Sequence, residues 1–567
     1  MTTESILNEN QNQKPEPVTI QETEKTIKKS NPLFIFMAAG SFIYAFFYTL
    51  FLYKNNSGIT YPFFVGGTCL LFFLYMKKSG ITAKKFSLFL LISLLLLGIS
   101  TCFTDSYILI FFNKVGIFFL FFYLMLHNLY EDKNWDLPKY LGAIINILFT
   151  SLAFIFRPFT DFSTYHKNRA SIKFSSENNE HCEPLQYGSS IKKDNLKYIL
   201  FGILIAMPLL FIILLLLYQA DAVFSSMLDQ IFYFDFYIDF EDDIYGIIFL
   251  FLFAFFATYS IMSRISVHNL KEEIPDKRTG EPIMGITFTG LISLVYLVFC
   301  YIQVVYLFGG FGTLPAHYTY SSYAREGFFQ LVFVCIINLL LVLSCMKRFR
   351  ESKILKGILT FISICTYIMI ASSAYRMLLY IQVYYLTFLR IFVLWALFVI
   401  FLLMSGALIM IHKIKFPLTK YCLITVTILY ILFSFSHPDY WIARYNLMNS
   451  LSQETVTENE NNLEESYQTK NTFHDYYYLR HLSDDAAPVI FAKAKELGYE
   501  KNDWFLNYAA SIVTKNTDWN HSDKIEGYLP QKPSIRKWNM SRWKAIYTYT
   551  EYYNSNKEFA HKVINYI

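Results

Sequence analysis

The chain returns repeatedly to apolar runs of roughly 20 residues, about the length an α-helix needs to cross the hydrocarbon of a bilayer. These runs fall at 32–53, 59–76, 86–103, 107–130, 137–156, 198–218, 245–263, 286–308, 328–346, 354–375, 389–411 and 418–435. In hydrocarbon every backbone polar group must be satisfied within its own segment, so runs of this kind form helices. The expectation is an all-α, polytopic transmembrane bundle of about 11–13 helices, followed by a small helical C-terminal domain. Composition agrees: 54% of the 567 residues are hydrophobic, 19% aromatic and only 16% charged, which excludes an ordinary soluble enzyme.

Residues 1–31 are polar, lack an apolar core and read as a disordered tail rather than a cleaved leader. The net charge of +5 is small, but its placement is informative. Lys347, Arg348, Arg350, Lys353 and Lys356 form the densest basic loop, supported by Lys413, Lys415 and Lys420. The positive-inside rule assigns these loops to the cytoplasm. The alternate loop 220–244 holds seven carboxylates and no Lys or Arg, and it should face outward with the tail after Phe435.

The N-terminal half does not close with this scheme. Lys77, Lys78, Lys84 and Lys85 place the N-terminus inside, and an even number of crossings would then leave the tail inside too. Either one run is miscounted or one loop departs from the rule; the suspect is 107–130, where Asn113 and Lys114 sit within the run and would suit a re-entrant or interfacial helix. The expected organisation is N-terminal membrane helices over 32–158, a basic cytoplasmic loop over 159–197, a membrane core over 198–436 and an extracytoplasmic helical domain over 437–567.

Eight cysteines are present, and only Cys182 lies in a polar loop; the others read as small packing residues. In the tail, Val489, Phe491, Ala492, Ala494 and Leu497 recur at helical spacing and stop at Gly498, as at a helix end. Trp504, Trp519, Trp538 and Trp543 admit two readings: the core of a small helical domain, or an aromatic surface that rests on a membrane or binds glycan.

Several short motifs stand out in order: Tyr218 to Phe224 around Asp221; Tyr320 to Phe329 with Arg325 and Glu326; Leu386 to Arg390; Ile442 to Asn446 around Arg444; and Asp475, Tyr478, Leu479, Leu482, Ser483, Asp485, Ala486 and Pro488. Together they resemble a family of bacterial multi-pass membrane proteins of uncharacterised function, the domain of unknown function of four-one-five-three and four-one-seven-three types. The resemblance implies a helical membrane architecture in a bacterial cytoplasmic membrane and supplies no reaction, substrate or cofactor.

The candidate ligand-binding residues are Arg325, Glu326, Arg376, Arg390, Asp221 and Arg444. Arginine near hydrocarbon is costly unless paired, and its planar fork suits phosphate or carboxylate. One reading pairs these arginines internally with Asp221, Glu326 or the acidic loop. The other has them bind an anionic amphiphile, such as a lipid or lipid-linked precursor, at the outer leaflet. Gln219, Gln303 and Asn338 read as interhelical hydrogen-bonding residues or as the lining of a polar path.

No catalytic residue, metal or cofactor is assigned. The carboxylates of 239–243 lack the spacing and glycine of a calcium loop, and His474, His481 and Asp485 share a helical face but make a weak zinc site. There is no phosphate-binding loop. The expected function is a non-enzymatic envelope protein that binds or moves an anionic amphiphile. The rivals are an accessory or signalling subunit docking a protein through its C-terminal domain, and a membrane transferase using Asp221 or Glu326. The expected partners are the bilayer and such a lipid, and no nucleic acid.

Overall fold

A computed structural model describes residues 20–55, 57–132, 135–165, 243–267, 278–308, 328–413, 415–457, 477–516, 535–556, and 559, 562, 563 and 566. The elements are α1 (Ile20–Leu52), α2 (Thr60–Lys78), α3 (Ser87–Phe103), α4 (Tyr107–Leu129), α5 (Leu137–Leu152), α6 (Asp243–Val267), α7 (Pro282–Ile302), α8 (Phe328–Arg348), α9 (Lys353–Tyr384), α10 (Phe388–His412), α11 (Leu418–Ser434), α12 (Pro438–Thr457), α13 (Ala487–Leu497), α14 (Asp503–Asn516) and α15 (Met540–Ser555). Each expected apolar run coincides with one of α1–α11 except 198–218, which lies outside the described residues. Among the described residues, seven helices are long and apolar enough to cross a membrane, or up to nine if two bent pairs each count as one span. The protein is therefore an all-α, multi-pass membrane protein.

The chain divides into two compact units. In the first (Met1–Tyr53, Leu71–Thr82 and Ala143–Asn269), α1 packs along α6, with Phe42 edge-on to Phe251 at 5.2 Å. The end of α5 meets α6 through polar contacts: Arg264 Nε donates to Thr150 Oγ1 at 2.8 Å, and the Ser260 hydroxyl donates to the Ser151 carbonyl.

The second unit (Lys54–Leu70, Ala83–Gly142 and Leu270–Ile567) has two chemically distinct ends. At one end Lys84 Nζ sits 3.2 Å from Asp132, Lys347 Nζ lies 2.7 Å from Asp136, and Thr419 Oγ1 donates to the Trp135 carbonyl at 3.2 Å. Beside them the backbone of Gly280 pairs with 348–350: Gly280 N donates to the Arg348 carbonyl at 2.9 Å, and Arg350 N donates to the Gly280 carbonyl at 3.0 Å. The start of α3, α5, α7, α9 and α11 and the finish of α4, α8 and α10 thus gather at a cation-rich end. The opposite end carries the loops 54–59, 104–106, 385–387 and 435–437 together with α12–α15.

α4 requires a correction of the sequence expectation. It is one unbroken helix of 23 residues that joins the two ends of this unit, neither re-entrant nor interfacial. Its polar interruption is absorbed by neighbours: fully buried Asn113 accepts from Tyr430 Oη at 2.8 Å and Ser434 Oγ at 2.7 Å, and Lys114 lies over the Tyr61 ring at 5.7 Å. Interhelical hydrogen bonds of this kind remove the cost of an amide in hydrocarbon.

One continuous hydrophobic core runs from the membrane helices into the tail. It includes Leu109 of α4, Phe388 of α10, Phe433 of α11 and Ile442 of α12, and continues through Phe491, Phe505, Tyr508 and Tyr549. α13 ends as its sequence requires, with Gly498 at φ +70 in the left-handed region.

Candidate functional site

At the C-terminus of α3 the chain turns sharply before α4. Ser106 N donates to Thr104 Oγ1 at 3.1 Å, and Asp105 between them has a nearly buried side chain. This turn is gripped by α15. Asn539 caps that helix, its Oδ1 accepting from Ser541 N at 3.0 Å and Arg542 N at 3.3 Å. The same amide donates through Nδ2 to the Thr104 carbonyl at 2.9 Å and the Ser57 carbonyl at 3.0 Å. Arg542 then reaches Asp105 Oδ1 from Nε at 2.6 Å and Ser57 Oγ from Nη2 at 3.2 Å.

Three more buried carboxylates join Asp105: Asp439 in the first turn of α12, and Asp484 and Asp485 in the short helical turn before α13. Asp485 is fully satisfied. It accepts from Thr104 Oγ1 at 2.6 Å, from Asp105 N at 3.0 Å and from the Ser541 hydroxyl, with His437 Nδ1 at 3.3 Å. Asp439 Oδ2 accepts from the Ser483 hydroxyl and, at 3.3 Å, from Ser483 N. Asp484 faces Lys515 Nζ through Oδ1 at 3.4 Å, while its Oδ2 is buried with no hydrogen-bonding partner.

The electrostatics follow from this crowding. Burial, then the neighbouring charge of Asp484, pushes the Asp105 carboxyl up to about 7 despite Arg542. Burial pushes Asp485 the same way, but the His437 contact and the hydroxyls of Ser541 and Thr104 outweigh it and hold the carboxyl below its usual range. Tyr508, wholly buried and facing all four carboxylates, is driven well above the usual phenol range, so it stays a donor and bonds the Ser483 carbonyl at 2.9 Å.

Above this floor opens a cleft of about 520 Å³. Asp484, Asp485, Ser541 and His437 line its polar part; Phe103, Tyr440, Trp441, Trp543 and Tyr547 form aromatic walls, and Lys544 also lines it. Trp441, Trp543 and Tyr547 are 52%, 43% and 61% exposed, large rings left facing outward where membrane helices end. Such rings suit the boundary between headgroups and hydrocarbon.

The arginines expected from sequence that lie among the described residues are not gathered around this cleft. Arg325, Glu326 and Asp221 lie outside the described residues, as do His474, Trp519 and the carboxylates 239–242. Arg376, buried in α9, donates to Gln303 Oε1 at 3.2 Å, an oxygen that also accepts from Ser372 at 2.6 Å. Arg390 donates to the carbonyls of Tyr384 and Tyr385 and lies over the Tyr380 ring at 4.4 Å, fastening the end of α9 to the start of α10. Of the candidates among the described residues, Arg444 alone is near the cleft, exposed over the Trp441 ring at 5.7 Å.

The amides behave as interhelical fasteners, since Asn338 accepts from Tyr296 Oη at 2.6 Å and donates to Thr366 Oγ1 at 3.0 Å. His481 is exposed beside Arg480, whereas Asp485 is turned inward to the cluster; among the described residues no three metal-binding side chains converge.

Sequence reasoning named Asp485 through its motif but not Asp105, Asp439, Asp484, Asn539 or Ser541. The available signal was Thr104-Asp105-Ser106 between two apolar runs, and paired aspartates directly before the apolar helix α13. A polar triplet between spans ordinarily reads as a solvated loop.

A family model described as Domain of unknown function (DUF4153) matches residues 91–492, more than half of the chain. The match takes in Asp105, Asp439, Asp484 and Asp485 and stops short of α15. No curated protein and no solved structure matches detectably.

Proposed function

The chain belongs to the DUF4153 family, and from that premise we propose that it is a non-enzymatic receptor or carrier for a membrane amphiphile, held in the cleft where α12–α15 meet the membrane helices. The cleft is the observation that carries this reading: exposed aromatic walls beside a buried polar floor provide for acyl chains and a polar head group together. The cation-rich end would face the cytosol of a bacterial cell and the cleft the outer leaflet, following the positive-inside rule.

The anionic head group expected from Arg325, Arg376 and Arg390 gains little support, because Arg376 and Arg390 already serve Gln303 and the turn at Tyr384 and Tyr385. The test is mass spectrometry of lipid retained by the protein purified in mild detergent. Wild type should carry stoichiometric lipid, and Trp543→Ala with Tyr547→Ala should lose most of it. Equal retention by that double variant would sink the proposal.

A further inference from the structure

Asp484 is 1% exposed, lines the cleft, and keeps one carboxylate oxygen buried with no donor. An acceptor left unpaired in a protein interior is costly, and natural proteins supply it with a donor. Its surroundings decide what kind. Four buried carboxylates, Asp105, Asp439, Asp484 and Asp485, share this end of the unit. Among the described residues, the cations that touch them are Arg542 on Asp105 and Lys515 on Asp484, with His437 beside Asp485. Asp439 is held by Ser483, which brings donors but no charge.

The two carboxylates that line the cleft meet Lys515 and His437, and the oxygen left over, Asp484 Oδ2, lacks a donor that an N–H group would supply, most strongly a cationic one. Lys544 also lines the cleft and offers a counter-charge for the phosphate that accompanies such a cation in a phospholipid. Resting on the amphiphile-binding reading above, we propose that the head group taken by this cleft is a primary ammonium, as in an aminophospholipid, and that Asp484 Oδ2 accepts its hydrogen bond.

The test uses the full chain in detergent, titrated by native mass spectrometry with phosphatidylethanolamine, its N-methylated series through phosphatidylcholine, and phosphatidylglycerol of the same acyl chains. Affinity should fall stepwise as N–H groups are replaced, by about tenfold over the series, with phosphatidylglycerol weakest. Asp484→Asn should abolish the discrimination and retain lipid. The methylation series on wild type keeps the test valid even if that variant is unstable.

Soluble phosphoethanolamine, added as competitor, separates the sources. Displacement at millimolar concentration means the head group alone is recognised; no displacement means that acyl chains are required. Lipid retention that Trp543→Ala reduces, but that ignores both methylation and Asp484→Asn, overturns this inference and leaves the amphiphile reading standing. Retention insensitive to Trp543→Ala as well overturns both.

Discussion

Arg542 Nε lies 2.6 Å from Asp105 Oδ1, joining α15 to the turn between α3 and α4 across 437 positions of sequence. The carboxylate is almost wholly buried and the guanidinium about 30% exposed. Arg542→Ala would leave Asp105 buried beside Asp484 with Lys515 as its remaining compensating cation. A cost of about 2–3 kcal/mol is expected, below that for a fully buried pair because Arg542 keeps contact with solvent. Thermal unfolding in detergent should show it, and Asp105→Asn in the same chain should recover part of the loss. Additive single and double variants would mean that the two side chains are not coupled.

The same aspartate sets a pH dependence. Its carboxyl rises from 3.8 to about 7 on folding, so over that window the folded state binds a proton the unfolded state has released. Its contribution to stability is present below about pH 4 and is lost as pH rises towards 7. Asp485 is shifted the other way, and its contribution, present above 3.8, is lost only on further acidification. The melting temperature of Asp105→Asn should consequently vary less between pH 4 and 7 than that of wild type. Parallel curves would refute this assignment.

Asn113 binds α4 to α11 through Tyr430 and Ser434. Asn113→Leu keeps the volume and deprives two hydroxyls of their acceptor, although Ser434 retains Ser100 at 2.6 Å. A loss of about 1–2 kcal/mol is expected, within the measured range for hydrogen bonds inside membrane bundles. Restoration by Tyr430→Phe in the Asn113→Leu background would identify the orphaned phenol as the source.

The crossing count makes a prediction about α5. α5 and α7 both begin at the cation-rich end, so an even number of crossings separates residues 137 and 282. Three apolar runs fall between these positions: α5, the run 198–218 and α6. α5 has only 16 residues and is followed, after a bend of 62°, by Arg157–Tyr165. It is the natural candidate to return to the side on which it began. In a cysteine-free background on intact cells, Thr164→Cys and Lys139→Cys should both resist an impermeant thiol reagent, while Lys544→Cys reacts. Labelling of Thr164→Cys would make α5 a full crossing.

Helix positions were legible because hydrocarbon leaves the backbone no alternative, and α1–α11 coincide with the apolar runs to within a few residues, except that α1 starts at Ile20, within the polar stretch expected to be disordered, and where a charge hid the continuation. α9 is the clearest case: it extends to Tyr384 because Arg376 is bonded inside the bundle rather than marking its surface. The site was less legible. Arg376 and Arg390 attract notice as charges in apolar sequence, yet Gln303 and two main-chain carbonyls are enough to hold them. Asp105 and Asp484 look like ordinary loop residues, and their surroundings become dry only when distant helices converge on them, α15 joining Asp105 from more than 400 positions away and Lys515 of α14 facing Asp484.

The grip of Asn539 and Arg542 on the loops around Ser57 and Thr104 also bears on the order of assembly. The helices flanking those loops are synthesised and inserted first, and the residues that close over them come last, Asn539 lying 482 positions after Ser57. Until α15 has been released, the side of this end that it covers stands open to water, and Asp105 and Asp485 lack the donors that Arg542 and Ser541 bring. Truncation before α15 would remove Asn539, Ser541 and Arg542, and with them the contacts that tie Ser57, Thr104, Asp105 and Asp485 to the tail.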